Sequence, residues 1–215
     1  MTAQIVTFAR AAQASYDDAR SLPGTTIAYG PGEEIYAQAE QTDLIYRVIS
    51  GAVRTTRLDS DGRRQIGDFY YAGDFFGLEA GPEHRFSAEA LCDTQVQVLK
   101  RASLAVADDT VSIERMIWMA TARELERTRE HLMMLGRKTA REKVASFLHD
   151  VADRQGGDVQ TLTMGRQDMA DYLGLTIETV SRMLTQLQAE GLVTFMGCRQ
   201  FRIGNRPALN RLVAA

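Results

Sequence analysis

The sequence predicts an α+β chain with a small N-terminal β-barrel or sandwich, one long helix, and a C-terminal winged helix-turn-helix. Three observations carry this prediction. Short β-branched and aromatic runs alternate with glycine turns from about Leu22 to Arg101. A stretch from about Asp108 to Arg137 has no proline, and no glycine before Gly136. Two short amphipathic segments then flank Gly174, and a hairpin pattern follows them.

The strand-like runs are Thr25–Tyr29, Leu44–Ile49, Val53–Leu58, Gln65–Tyr70 and Gln95–Leu99, separated by turn signals such as Pro31-Gly32, Ser50-Gly51 and Gly81-Pro82. Asp61-Gly62 between two runs is a hairpin signal, because the turn needs a positive φ that glycine supplies. Strands this short at this spacing close into a small barrel or sandwich.

In the long helix, Val111, Trp118, Leu125 and Leu132 fall seven apart, with Thr121, Thr128 and Leu135 in a second line beside them. That spacing keeps one stripe facing a partner helix. Ile113, Met116, Ile117 and Ala120 form another apolar flank, suited to cover the barrel. The same periodicity also fits a helix lying wholly within a monomer core.

Beyond the helix, Thr139-Ala140-Arg141-Glu142 has the form of a capping box before the apolar run Val144, Phe147, Leu148, Val151, and Gly156-Gly157 ends that segment. Gly165, with Asp168 three residues on, starts the next helix, its carboxylate near the positive helix end. Met169, Ala170 and Leu173 form its inner face. Gly174 permits a sharp turn that a side chain would strain. Thr176 caps a second helix, Thr176–Glu190, with Val180, Leu184 and Leu187 inward and Met183 alongside. Two short helices joined by a tight glycine turn make a helix-turn-helix, whose second helix enters the major groove of DNA.

With that face inward, Ile177, Glu178, Ser181 and Arg182 point outward near the helix start. Arginine donates two hydrogen bonds to guanine, glutamate accepts from cytosine, Ile177 suits a thymine methyl, and Ser181 donates or accepts. The alternative is that Glu178 and Arg182 merely form an i,i+4 surface pair. Leu192–Met196, Gly197 and Cys198–Ile203 read as a terminal hairpin, a wing that brings Arg199 and Arg202 to phosphates. A plain hairpin with solvated arginines fits the same residues.

The 215 residues carry a net charge of −3, which hides an asymmetry. From Gly136 onward there are 11 basic and 8 acidic residues, leaving 14 and 20 before it. Local positive charge, rather than the net value, decides whether a face approaches phosphates. No apolar run approaches the roughly 20 residues of a membrane span. The N-terminal residues lack a basic region followed by an apolar one, predicting no secretory signal. Cys92 and Cys198 are too far apart in sequence to read as a ligand pair or a disulfide framework. A reduced cytoplasmic protein fits these features. No P-loop, H-E-x-x-H, nucleophile elbow or clustered metal ligands point to an enzyme or a metal site.

Taken in order, Pro31-Gly32-Glu33-Glu34-Ile35-Tyr36, Tyr46-Arg47-Val48, Ser50-Gly51-Ala52-Val53-Arg54, Asp61-Gly62-Arg63-Arg64 and Gly73-Asp74-Phe75-Phe76-Gly77-Leu78 resemble the β-roll of the Crp/Fnr regulator family. Gly136-Arg137-Lys138-Thr139-Ala140 resembles its hinge. Tyr172-Leu173-Gly174-Leu175-Thr176 and Glu178-Thr179-Val180-Ser181-Arg182 resemble its Fnr-type recognition motif, within the FixK-like branch.

The resemblance implies a cyclic-nucleotide-binding-like jelly roll over residues 1–107, a dimerisation helix over 108–136 and a winged helix-turn-helix over 137–215. It implies a homodimer binding sites similar to TTGAT-N4-ATCAA and recruiting RNA polymerase as an activator. Glu178, Ser181 and Arg182 would read bases with Ile177, while Arg166, Thr179, Arg199 and Arg202 would hold the DNA backbone. The FixK branch suggests nitrogen fixation, denitrification or microaerobic respiration.

The departures concern the signal. Where cyclic-nucleotide binders carry Gly-Glu-Leu and then Arg-Ser, this chain has Gly77-Leu78-Glu79 and Phe86-Ser87, so no cyclic nucleotide is expected. An Fnr-type cluster is not expected either, because the N-terminal region has no cysteines. No cofactor is assigned; the runner-up is a small ligand or haem in the β-roll. A haem relative needs an axial ligand near the barrel–helix junction, where a lone His84 beside Pro82 and Glu83 reads as solvated. A nucleotide-binding module whose helix-turn-helix contacts only protein is disfavoured by the Glu178, Ser181, Arg182 set. Cys92 reads as a small core residue. Cys198, next to Arg199, is a redox candidate whose oxidation would weaken DNA binding, against the alternative of an inert surface thiol. Gly165 lacks the cap side chain often found in relatives.

Overall fold

A computed structural model describes residue 22 and residues 24–104 and 110–214, without the side chains of 110–112. Residues 1–20, to which the sequence assigns no role, lie outside the described residues, as do the 107/108 boundary and the Val111 side chain. The chain divides into two compact units. One takes in the residues up to Arg57 together with Asp68–Leu125, the other Leu58–Gly67 together with Glu126–Ala215.

Eight strands run as β1 Thr25–Tyr29, β2 Glu34–Tyr36, β3 Leu44–Ser50, β4 Ala52–Leu58, β5 Arg64–Tyr71, β6 Phe75–Phe76, β7 Ser87–Ala90 and β8 Thr94–Lys100, in the first unit except for the end of β4 and the start of β5. They form two four-stranded sheets, ordered β1-β8-β3-β6 and β2-β7-β4-β5. The five expected strands are all present. The sequence missed β2, β6 and β7, which have two to four residues each; too few alternations occur in them to reveal a period of two.

The β4–β5 turn is built as Asp61-Gly62 predicts, with Gly62 at φ 79 and its N–H donating to Asp59 O at 2.9 Å. Val48, Val53, Phe76 and Val96 pack with Tyr36, Tyr46 and Tyr70 between the sheets. Each of the four is fully buried, which stabilises by roughly 1.5–3 kcal/mol per side chain relative to exposure.

Helix α1 is the short Arg101–Leu104, and α2 runs Thr110–Arg137, close to the expected span. Its flank Ile113, Met116, Ile117 and Ala120 packs against Leu22, Ile45, Phe75 and Leu99, so the apolar flank does cover the barrel. Tyr70 anchors the same helix by donating its hydroxyl to Glu124 Oε1 at 3.0 Å.

The second unit contains α3 Ala140–Gln155, β9 Gln160–Thr161, α4 Arg166–Leu173, α5 Ile177–Ala189, β10 Val193–Met196, β11 Gln200–Ile203 and α6 Arg206–Val213. The predicted capping box starts α3. Thr139 N–H donates to Glu142 Oε2 at 2.8 Å, and Glu142 N–H donates to Thr139 Oγ1 at 3.4 Å. These bonds hold the Glu142 carboxyl below the ordinary glutamate range, chiefly through the Thr139 backbone. Val144, Phe147, Leu148 and Val151 are buried as expected.

The hairpin β10–β11 extends to a three-stranded sheet with β9. It is not terminal: α6 follows, started by the Asn205 side chain accepting from Ala208 N–H at 3.1 Å, with proline in its first turn. Asn205-Arg206-Pro207 carried that signal, since proline at a helix start gives up only a donor that has no intrahelical partner.

Candidate nucleic-acid interface

Helix α4 begins at Gly165, whose N–H donates to Asp168 Oδ2 at 3.3 Å. With no side chain on Gly165, the carboxylate three residues on closes the first turn. The turn after α4 is made by Gly174 in the left-handed region, φ 61 and ψ 42, its N–H bonded to Ala170 O. Thr176 Oγ1 then accepts from Thr179 N–H at 3.3 Å and starts α5. Val180, Leu184 and Leu187 are buried, and α5 packs against both α3 and α4. The inward face is the one predicted, which fixes what points out.

Ile177 is 37% exposed, Glu178 and Arg182 are exposed, and Ser181 is half-buried. Glu178 and Arg182 do not pair with each other; the surface salt bridge is not formed. The Glu178 carboxyl lies below the ordinary range because its own backbone N–H and the Thr176 hydroxyl bond to it. It therefore stands ionised as an acceptor. Arg166 Nη1 donates to Ser181 Oγ at 3.1 Å, joining two of the expected DNA residues. Thr179 is half-buried, and its hydroxyl oxygen lies 3.2 Å from Thr176 Oγ1.

In the wing, Arg202 is exposed beside the fully buried Phe201 and opposite Thr194. Arg199 Nη1 donates to Thr163 O at 3.3 Å, a bond across the base of the wing. Cys198 is exposed in the turn.

On α2, Trp118, Leu125 and Leu132 are 72%, 50% and 69% exposed, and Thr121 and Thr128 are exposed as well. A core role within one chain is thus not what these five residues have. Leu135 differs: it is half-buried, with Cδ2 3.6 Å from where a Cβ on Gly174 would stand. The sequence missed two residues of this unit. His131 of α2 stacks on Tyr172 at 3.9 Å, its ring N–H donating to Tyr172 O at 2.8 Å. Arg64, at the start of β5, bonds Asp168 and Asp171. Both pairings span over forty positions in sequence, where no local pattern signals them.

Residues 142–212 match the Crp-like helix-turn-helix domain, and residues 26–107 the cyclic nucleotide-binding domain. The nitrogen fixation regulation protein FixK of Azorhizobium caulinodans is 43% identical over 196 residues, covering 88% of this chain and 79% of that one. FixK of Rhizobium meliloti is 43% identical over 193 residues, covering 89% of each. The solved structure of FixK2 from Bradyrhizobium japonicum superposes with a TM-score of 0.84 at 48% identity, covering 90% of this chain and 99% of that one. The chain belongs to the Crp/Fnr family, with FixK-like relatives. Its relatives are transcription regulators, not enzymes, and its helix-turn-helix is a DNA-binding domain.

Within the region that matches the cyclic nucleotide-binding domain, the loop around His84 is held by its own side chains and backbone. His84 is not solvated, as its neighbours had led us to expect, but 2% exposed. Its ring stacks on Tyr36 at 3.7 Å, with Nδ1 3.2 Å from Glu79 Oε2. Its backbone explains the burial: His84 N–H donates to Glu40 O and its carbonyl accepts from Ala39 N–H, pinning the loop onto residues 39–40. Arg101 Nη2 donates to the carbonyls of Gly77 and Glu79 at 2.8 and 2.9 Å, and Arg85 is exposed. Arg101 is thus held by these two carbonyls, and Arg85 lies at the surface. Cys92 is half-buried, not a core residue; its Sγ lies 3.9 Å from Thr94 Oγ1. Among the described residues no helix is long and apolar enough to cross a membrane.

Proposed function

We propose that this protein is a cytoplasmic transcription activator that binds, as a homodimer, a palindrome similar to TTGAT-N4-ATCAA and recruits RNA polymerase there. One observation carries the reading: Glu178, Ser181 and Arg182 stand together on the outward face of α5, with Glu178 and Arg182 exposed and unpaired with each other. In the complex Arg182 donates to guanine, Glu178 accepts from cytosine, Ser181 completes the set, and Ile177 meets a thymine methyl. Arg166, Thr179, Arg199 and Arg202 hold the phosphates, which supply much of the affinity and its salt dependence. The stripe Trp118, Thr121, Leu125, Thr128, Leu132, with Val111 and Leu135 at its ends, packs against the same stripe of a second copy.

Activity needs neither a cyclic nucleotide nor an iron–sulfur cluster, and it serves nitrogen fixation or related oxygen-limited or nitrogen-oxide metabolism. Control by redox state enters at Cys198: peroxide lowers DNA affinity in the wild type and leaves Cys198→Ser unchanged.

A dimer with rigid half-site spacing reads two major grooves one helical turn apart. Widening the central spacer from four to six base pairs is therefore expected to abolish tight binding measured by fluorescence anisotropy. Equal affinity for both spacers would refute the paired-site reading.

A further inference from the structure

Arg64 lies at the start of β5, beside the Asp61-Gly62 turn, in the same compact unit as the helix-turn-helix. Its Nη2 donates to Asp168 Oδ1 at 2.6 Å and its Nε to Asp171 Oδ2 at 2.8 Å; Nη2 also lies 2.6 Å from Asp171 Oδ2. The two acid side chains are only 9% and 14% exposed. They stand three residues apart, hence on one face of α4. Two carboxylates so close repel each other and resist burial unless a cation compensates both. A guanidinium fork does this with directional bonds, where an ammonium supplies only a point charge.

Asp168 is also the carboxylate that closes the first turn of α4, through Gly165 N–H. Asp171 Oδ1 in turn accepts from Gln167 Nε2 at 2.7 Å. Arg166, the first residue of α4, donates its Nη1 to Ser181 on α5. Arg64 thus holds the first turns of α4, the same turns from which Arg166 reaches Ser181.

We propose that Arg64 is a positioning residue for DNA recognition, fixing the start of α4, and through Arg166 the pose of Ser181, without itself holding a phosphate. The inference rests on the reading of α5 given above and names a residue outside the recognition motif that this reading requires.

The test compares wild type, Arg64→Gln and Arg64→Lys at a temperature where all are folded. Two quantities are measured: affinity for the palindrome and a scrambled duplex over a salt series, and amide hydrogen exchange of residues 165–173 without DNA. Arg64→Gln is expected to bind the palindrome about tenfold more weakly, because the charged fork that holds both carboxylates of α4 is lost. Its affinity for the scrambled duplex and its salt slope stay those of wild type, its α4 amides exchange faster, and Arg64→Lys recovers part of the loss. If Arg64→Gln fails to fold, Arg64→Gln/Asp171→Asn removes one acid with the cation and is expected to show the same loss of palindrome affinity.

Wild-type affinity in these variants would overturn the inference, whether or not exchange accelerates, because a merely structural ion pair leaves recognition alone. A salt slope lowered by about 1 would also overturn it, marking Arg64 as a phosphate contact. Failure of the wild type itself to bind would count against the palindrome instead. Exchange alone would then decide Arg64's hold on α4, faster exchange supporting it and unchanged exchange overturning it.

Discussion

Gly174 shows how a single residue sets the recognition geometry. Its φ of 61 is strained for any side chain, although space exists for a Cβ. Gly174→Ala is expected to destabilise by about 1 kcal/mol or more, from backbone strain rather than collision; an unchanged thermal midpoint would contradict this. Glu142 makes a pH-dependent contribution. Its folded carboxyl lies below the ordinary value, so its stabilisation is complete above the unfolded pKa and is lost as pH falls through the folded one. The stability difference between wild type and Glu142→Gln should therefore be present at neutral pH and shrink in acid, as denaturant melts at several pH values would record. Both residues were legible, because turn and capping chemistry depend on near neighbours. His84 was not: its burial comes from the pairing of its backbone with residues 39–40, which a local reading of Pro82 and Glu83 does not contain.

At the scale of elements, α5 was the most legible part of the chain. Its buried positions follow a helical period, and burial of Val180, Leu184 and Leu187 leaves the opposite face to solvent. Leu187 is fully buried, so Leu187→Ala is expected to cost roughly 2–5 kcal/mol and to lower DNA binding only as far as the unit unfolds. Chemical denaturation read by tryptophan-independent far-ultraviolet dichroism would measure it. The two-residue strands β6 and β9 were invisible, because pairing rather than period defines them. Helix α6 was overlooked although Asn205 and Pro207 mark its start. The candidate site was legible where it is local: the outward placement of Arg182 and Glu178 followed from spacing, whereas the bond of Arg166 to Ser181 needed the packing of two helices.

At the scale of the molecule, the exposed stripe of α2 is the feature one chain leaves unexplained. Large apolar side chains aligned along a helix, with Trp118 and Leu132 largely in solvent, match a surface buried by a second copy. Leu132→Asp is expected to yield monomers in sedimentation velocity and to weaken palindrome binding; a dimer unchanged by this substitution would contradict that use of the stripe.

The central claim is that α5 reads a palindrome through Arg182 with no effector present. Its most direct test titrates reduced wild-type protein and Arg182→Ala, in air and at one stated salt concentration, against TTGAT-N4-ATCAA and a scrambled duplex. Wild-type protein is expected to bind the palindrome at least about a thousandfold more tightly than the scrambled duplex. Arg182→Ala should lose roughly 1–3 kcal/mol of that discrimination per bound arginine. Tight palindrome binding that survives Arg182→Ala unchanged would contradict it.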